Sequence, residues 1–170
     1  MKGSNLIIAG TGHRPKYCPC KYKVSHPWLT SLKKRLTNYL IEMGFGDTNR
    51  IVRAGGAIGW DTWLAQVALE LDLELHLYLP FPDQGKTWPS DSLKEYERIK
   101  GEADKIVYTS ERYHPKVFFE RDLAMITGED KVVALLDPAV DSGGTFYTVG
   151  EAHKMGIETI NFWASPNETT

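Results

Sequence analysis

Short apolar runs alternate along this chain with stretches whose apolar residues recur every three or four positions. Leu6–Ala9 is an unbroken apolar run, the pattern of a buried strand. Trp28, Leu29, Leu32, Leu36, Leu40 and Met43 share one face of a predicted helix, with Ser25 and Pro27 as start signals and Gly44 as its stop. Ile51–Ala54 is the next strand, and Trp60, Leu64, Val67, Ala68 and Leu71 form the next helical face. Leu73–Leu79 reads as a strand closed by Pro80 and Pro82. Ser92 and Glu95 have capping-box spacing for a helix through Lys100. Ile106–Tyr108 is a short strand and Pro115–Ile126 a helix. Lys131–Leu136 is nearly all apolar, as a central parallel strand buried on both faces should be. Gly144–Met155 is a last helix and Thr159–Trp163 a last strand.

This alternation predicts an α/β fold: a Rossmann-like, three-layer α/β/α arrangement with a mostly parallel sheet and helices on both faces. With no internal repeat or linker, residues 1–165 are expected to form a single ligand-binding domain and 166–170 a flexible tail. In such sheets ligands bind beyond the carboxyl ends of the strands. The loops that matter are therefore GTGHRP, GGAIGWD, PFPDQGKTW, TSERYHP and DPAVDSGGT.

Composition narrows the classes. At 42% hydrophobic and 25% charged residues, the chain has the balance of a soluble globular protein. A net charge of −2 disfavours a broad nucleic-acid surface but leaves room for a local basic pocket. Cys18 and Cys20 are too close for a disulfide, and free thiols suit a reducing cytoplasm. No apolar segment approaches membrane-spanning length, so no membrane partner is expected.

Two loops have the composition of anion cradles. In Arg53–Trp63, Gly55, Gly56, Ala57 and Gly59 join a strand to a helix opened by Trp60 and Asp61. Glycines allow close backbone approach, and a helix start aims free N–H groups at an anion. Asp61 can hold a ribose hydroxyl, or can simply cap its helix. The second loop, Ser142, Gly143, Gly144 and Thr145, follows the most apolar strand after Asp137 and again opens a helix. Either loop alone also fits a tight turn with a cap.

The stretch LIIAGTGHRP looks at first like a dinucleotide fingerprint. However, Pro15 stands where the third glycine belongs, and the expected acidic residue falls in the basic segment SLKKRL. A nicotinamide or flavin dehydrogenase is disfavoured, and no cofactor is implied. Thr11, Gly12, His13 and Arg14 remain candidates to hold phosphate or ribose. Trp60, Phe81, Trp88 and Tyr113 lie on or beside these loops and could stack on a base, although for any single one core packing is the better explanation. His13, Cys18, Cys20 and His26 have zinc-type side chains, but Cys-x-Cys is not zinc-finger spacing, and no metal site is expected.

Taken in order, IIAGTGHRP, GGAIGWD, PFPDQGKTWP, ADKIVYTS, FERDLAMI, VVALLD and SGGTFYTVGEAHKMGI resemble the SLOG superfamily of Rossmann-like proteins across nearly the whole chain. They are most similar to its small stand-alone branch, often phage-encoded. The resemblance implies a pocket for nucleotides or nucleotide-sugars, and assembly as a homo-oligomer. It extends to "lonely guy" (LOG) hydrolases of nucleotide N-glycosidic bonds, to anti-phage sensors of ADP-ribose-type signals, and to the single-stranded-DNA binder DprA. The hydrolases carry a glutamate three residues after a Gly-Thr pair; here that place is Thr148, which supplies no carboxylate. Glu151 lies one helical turn further on. An Arg-Asn pair of the branch reads Arg121-Asp122 here. The resemblance thus implies binding of a phosphorylated nucleotide without turnover, as in a viral sponge for a host immune signal. A LOG-like hydrolase or a DprA-like DNA binder are the alternatives.

Overall fold

The computed structural model describes residues 4–44 and 48–164. The strands are β1 (Asn5–Gly12), β2 (Asn49–Ala54), β3 (Glu74–Leu79), β4 (Lys105–Tyr108), β5 (Lys131–Leu135) and β6 (Glu158–Asn161). The helices are α1 (Pro27–Glu42), α2 (Trp60–Glu70), α3 (Ser90–Glu102), α4 (Val117–Ile126) and α5 (Gly144–Lys154). All strands pair in parallel, in the order β4-β3-β2-β1-β5-β6. Residues 166–170, expected to form a tail, lie outside the described residues.

The order contains one reversal. From β1 to β4 each strand is laid outside the last; α4 then carries the chain back across the sheet, and β5 pairs with β1 on its free side. Helices before and after the reversal therefore cover opposite faces. Leu32 and Leu36 of α1, Leu64 of α2 and Ile99 of α3 pack with Ile8, Val52, Leu75, Leu77 and Val133. Met125 and Ile126 of α4 and Ala152 of α5 pack with Ala9, Tyr78 and Val132. Adjacent residues of one strand, such as Val132 and Val133, serve different cores because strand side chains alternate.

Gly10 and Gly12 let α2 lie close on β1. A Cβ at Gly10 would fall 2.2 Å from a Leu64 methyl, and one at Gly12 would fall 2.4 Å from Trp60 Cγ. The glycine pair that resembles a nucleotide fingerprint is thus explained first by helix–strand packing.

Several boundaries differ from the sequence expectation, β6 ending at Asn161 and α4 starting at Val117 among them, and three of the differences have a visible local cause. α1 is capped by His26, whose Nδ1 accepts the Trp28 N–H at 3.1 Å, and not by Ser25. α3 begins at Ser90, straight after extended Pro89, so Ser92 lies inside the helix. Glu95 is drawn away from any capping box, accepting from Gln66 at 3.0 Å and from Arg98. β5 ends at Leu135, because the Leu136 N–H turns to the Asn161 side chain at 3.1 Å.

Candidate functional site

The reversal leaves a crevice beyond the carboxyl ends of β1 and β5, where neighbouring connections leave the sheet in opposite directions. It has a volume of about 560 Å³, within the range of small-molecule sites. The end of β1 and the residues after it contribute Thr11, Gly12, His13 and Arg14; the loop into α2 and its first turn contribute Ala57 and Asp61; α4 contributes Arg121; and the loop into α5 and its first turn contribute Ser142, Gly143, Gly144 and Thr145. These expected residues come together from four chain segments. Lys16, Tyr17, Phe118, Asp122 and Val140 complete the wall without having been expected. Lys16 and Tyr17 arrive through a 3-10 turn, Pro15–Tyr17, which the proline itself starts. Phe118 could have been flagged as the first aromatic facing back from α4; nothing local signals Val140.

The two glycine-rich loops behave differently. The α2 loop is closed by its own chain. Ala57 N–H donates to Asp61 Oδ2 at 3.1 Å, and Trp60 N–H donates to the His13 carbonyl at 3.2 Å. A Cβ at Gly55 would meet the Arg121 guanidinium and Asp61 at 2.7 Å, one at Gly56 a Leu79 methyl at 2.4 Å, and one at Gly59 the His13 carbonyl at 2.7 Å. These glycines admit neighbouring groups and do not line the crevice. A Cβ added at Gly143 or Gly144 would meet no neighbouring group within 4 Å. Gly143, at φ 92°, turns the chain into α5 with no side-chain cap, so the first-turn N–H groups of α5 face open space.

Trp60 is corrected as a candidate for base stacking. It is 0% exposed, and its indole N–H donates to the Val133 carbonyl at 3.2 Å. Phe81 and Trp88 line a separate neighbouring cavity. Asp137 does not line the crevice; its carboxylate accepts the Ala139 N–H at 2.9 Å and its backbone N–H donates to His13 Nε2 at 3.0 Å. That bond requires an unprotonated Nε2, so His13 is neutral with its proton on Nδ1. Burial holds His13 below its usual range, against the pull of the Asp137 charge.

Beneath the crevice runs a buried polar network. Arg121 donates to the carbonyls of Gly55 and Tyr78, joining the ends of β2 and β3, and its Nε donates to Asp122 at 2.7 Å. The Thr148 hydroxyl lies 2.8 Å from the Gly144 carbonyl and 3.3 Å from Asp122, and can donate to one at a time. Thr148 is fully buried. Glu151 pairs with Lys154 at 2.8 Å on the outer side of α5, so it does not replace the missing glutamate. Burial pushes the Asp61 carboxyl up to about 6, with Arg121 pulling it down and Asp122 pushing it further up. Arg14 is exposed, rests 5.8 Å above the Phe118 ring, and joins no ion pair among the described residues.

The four zinc-type side chains each have another partner. His13 and His26 accept backbone N–H groups, while the buried Cys18 and Cys20 thiols approach the Arg14 and Lys21 carbonyls. Burial pushes Cys18 up to about 12, keeping it a thiol. No group of three or more metal-type ligands exists among the described residues. No described helix is long and apolar enough to cross a membrane.

A parallel sheet with a polar crevice at its point of reversal defines a Rossmann-like protein. More particularly, this chain belongs to the YspA SLOG family, whose profile matches residues 8–163. It is 30% identical over 157 residues to a UPF0398 protein of Bacillus cereus, covering 88% of this chain and 84% of that one. Its fold is similar to that of DNA processing protein A from Streptococcus pneumoniae, with a TM-score of 0.67 at 16% identity. That match covers 95% of this chain but 51% of the other, so this chain spans about half of it. DNA processing protein A from Helicobacter pylori, described for its single-stranded DNA binding mode, has a TM-score of 0.63 at 17% identity, over 96% of this chain and 68% of that one.

Proposed function

We propose that the crevice binds a phosphorylated nucleotide or nucleotide-sugar and releases it unchanged. The observation that carries this reading is an open α5 N-terminus together with Arg14, whose guanidinium joins no ion pair among the described residues, on the walls of one crevice. Uncapped N–H groups and an exposed guanidinium are both complements of phosphate. Neutral His13 offers a further neutral donor through Nδ1. With Thr148 buried in the glutamate's place and Glu151 paired with Lys154, no carboxylate of α5 lines the crevice. Held without turnover, a signalling nucleotide would be sequestered.

The test is calorimetry with AMP and ADP-ribose, followed by chromatography of the released ligand. Saturable binding with intact ligand supports the reading. No binding of either refutes it, and steady product formation refutes the absence of turnover.

One observation favours the hydrolase alternative. Asp61 lines the crevice with its carboxyl pushed up to about 6, a value suited to proton transfer near neutrality. Turnover abolished in Asp61→Asn would establish that alternative. The likeness to DNA processing protein A carries the fold alone at these identities. A salt-sensitive shift of single-stranded DNA at low micromolar protein would bring DNA binding to the fore.

A further inference from the structure

The crevice does not end at Arg14. A second cavity of about 340 Å³ adjoins it, and Arg14 and Phe118 are walls of both. Its far side is the loop after β3, Phe81 to Trp88. That loop is a series of tight turns: Gln84 N–H donates to the Phe81 carbonyl at 3.1 Å, and Trp88 N–H to the Gly85 carbonyl at 2.9 Å. Gly85, at φ 88°, lets the Trp88 ring fold back over the loop; a Cβ there would lie 3.1 Å from it.

The chemistry of this cavity differs from that of the crevice. Half-buried rings of Phe81, Phe118 and Trp88 supply flat apolar surface. Phe81 and Phe118 meet edge to face at 6.1 Å. Gln84 is 6% exposed, and its Oε1 is buried with no hydrogen-bond partner, while Nε2 makes only long contacts of 3.5 Å to Gly56 and Tyr96. A buried amide that is poorly satisfied is costly unless something else completes it. Aromatic walls suit a planar ring. The cation at the shared wall suits the anionic bridge that would join such a ring to a group in the crevice.

We propose that the second cavity is the other half of the same site, and that the ligand is two-ended: a pyrophosphate-bridged molecule with a ring system at each end. The bridge lies at Arg14, one end occupies the crevice beside α5, and the other enters between Phe81, Phe118 and Trp88 beside Gln84. This rests on the nucleotide-binding reading above and narrows its ligand class.

The experiment compares AMP with diadenosine diphosphate on the full chain, by calorimetry and by tryptophan fluorescence. The two-ended probe should bind tighter by about ten-fold or more, the worth of one base stacked on aromatic rings. It should also quench Trp88 fluorescence, a change absent in Trp88→Phe. Trp88→Ala should bring the two affinities within about three-fold while leaving AMP unaffected. Thr87→Trp, at an exposed rim position, should do the same without touching the packing of Trp88, with thermal melts confirming that each variant is folded. AMP binding with no gain from the second end overturns the two-ended site but not the nucleotide-binding reading. Equal losses for both probes on filling the cavity also overturn it. Failure of both probes to bind overturns the two together.

Discussion

Gly12 ends β1 and Gly144 opens α5, both beside the crevice, yet their surroundings predict opposite phenotypes. In Gly12→Ala the new methyl would sit 2.4–2.6 Å from Trp60 Cγ, Cβ and Cδ1. Ordinary carbon contacts begin near about 3.5 Å, so something must move by about 1 Å. Trp60 cannot yield easily, being fully buried with its indole N–H bonded to Val133. Overpacking of this kind costs about 1–3 kcal/mol. For a chain of this size that lowers Tm by about 2–12 °C. At Gly144 an added Cβ meets no neighbouring group within 4 Å and sits at the open N-terminus of α5. Gly144→Leu should change stability by no more than about 0.5 kcal/mol, as exposed substitutions do, while removing nucleotide binding. Thermal melts and urea titration give the first quantity, and calorimetry with AMP or ADP-ribose the second. A Gly12→Ala protein of unchanged Tm would refute the packing argument. A Gly144→Leu protein that binds as before would remove the α5 loop from the site.

Other outcomes follow from the buried charges. Burial pushes Glu129 up to about 7 despite its ion pair with Arg53, so the folded chain takes up a proton that the unfolded chain, at 4.5, does not. Its charged form therefore opposes folding fully above pH 7 and not below about 4.5. Between pH 8 and pH 5, wild type should gain about 1–3 kcal/mol relative to Glu129→Gln in urea unfolding; parallel pH profiles would contradict this. Arg121→Met should cost about 3–5 kcal/mol, because Asp122 loses its buried cation and the Gly55 and Tyr78 carbonyls lose their donor. Arg121→Lys should not restore it, since one ammonium cannot span those partners; a loss below about 1 kcal/mol in either variant would sink the network's structural role. Nitrogen-15 NMR should find His13 in the Nδ1–H form, titrating below its usual 6.5; an Nε2–H signal would contradict the bond from Asp137.

Much of the lining of the candidate crevice was legible because its composition is local. Glycine pairs at strand ends, and a histidine and arginine ahead of a proline, announce loops built to approach something. Which loop stays open is not local. Gly55, Gly56 and Gly59 are filled by Arg121, Leu79 and the His13 carbonyl, groups near and far in the chain that only folding brings there. Trp60 illustrates the same limit. A tryptophan opening a helix beside a glycine loop can face a ligand or the core, and Gly12, on the neighbouring strand, is what gives it room inside.

By itself the sequence determined the order and kind of the elements, since hydrophobic period is a property of neighbouring residues in one segment. It also determined the fold class, since strand and helix in strict alternation have few ways to bury their apolar faces. Only the tertiary structure decided that β5 returns beside β1, because strand pairing depends on contacts far apart in the chain. That return opens the crevice, sets α5 across from Arg14, and brings Phe118 of α4 against the loop after β3. The residues of the site are written along the chain; their meeting is a consequence of one crossover.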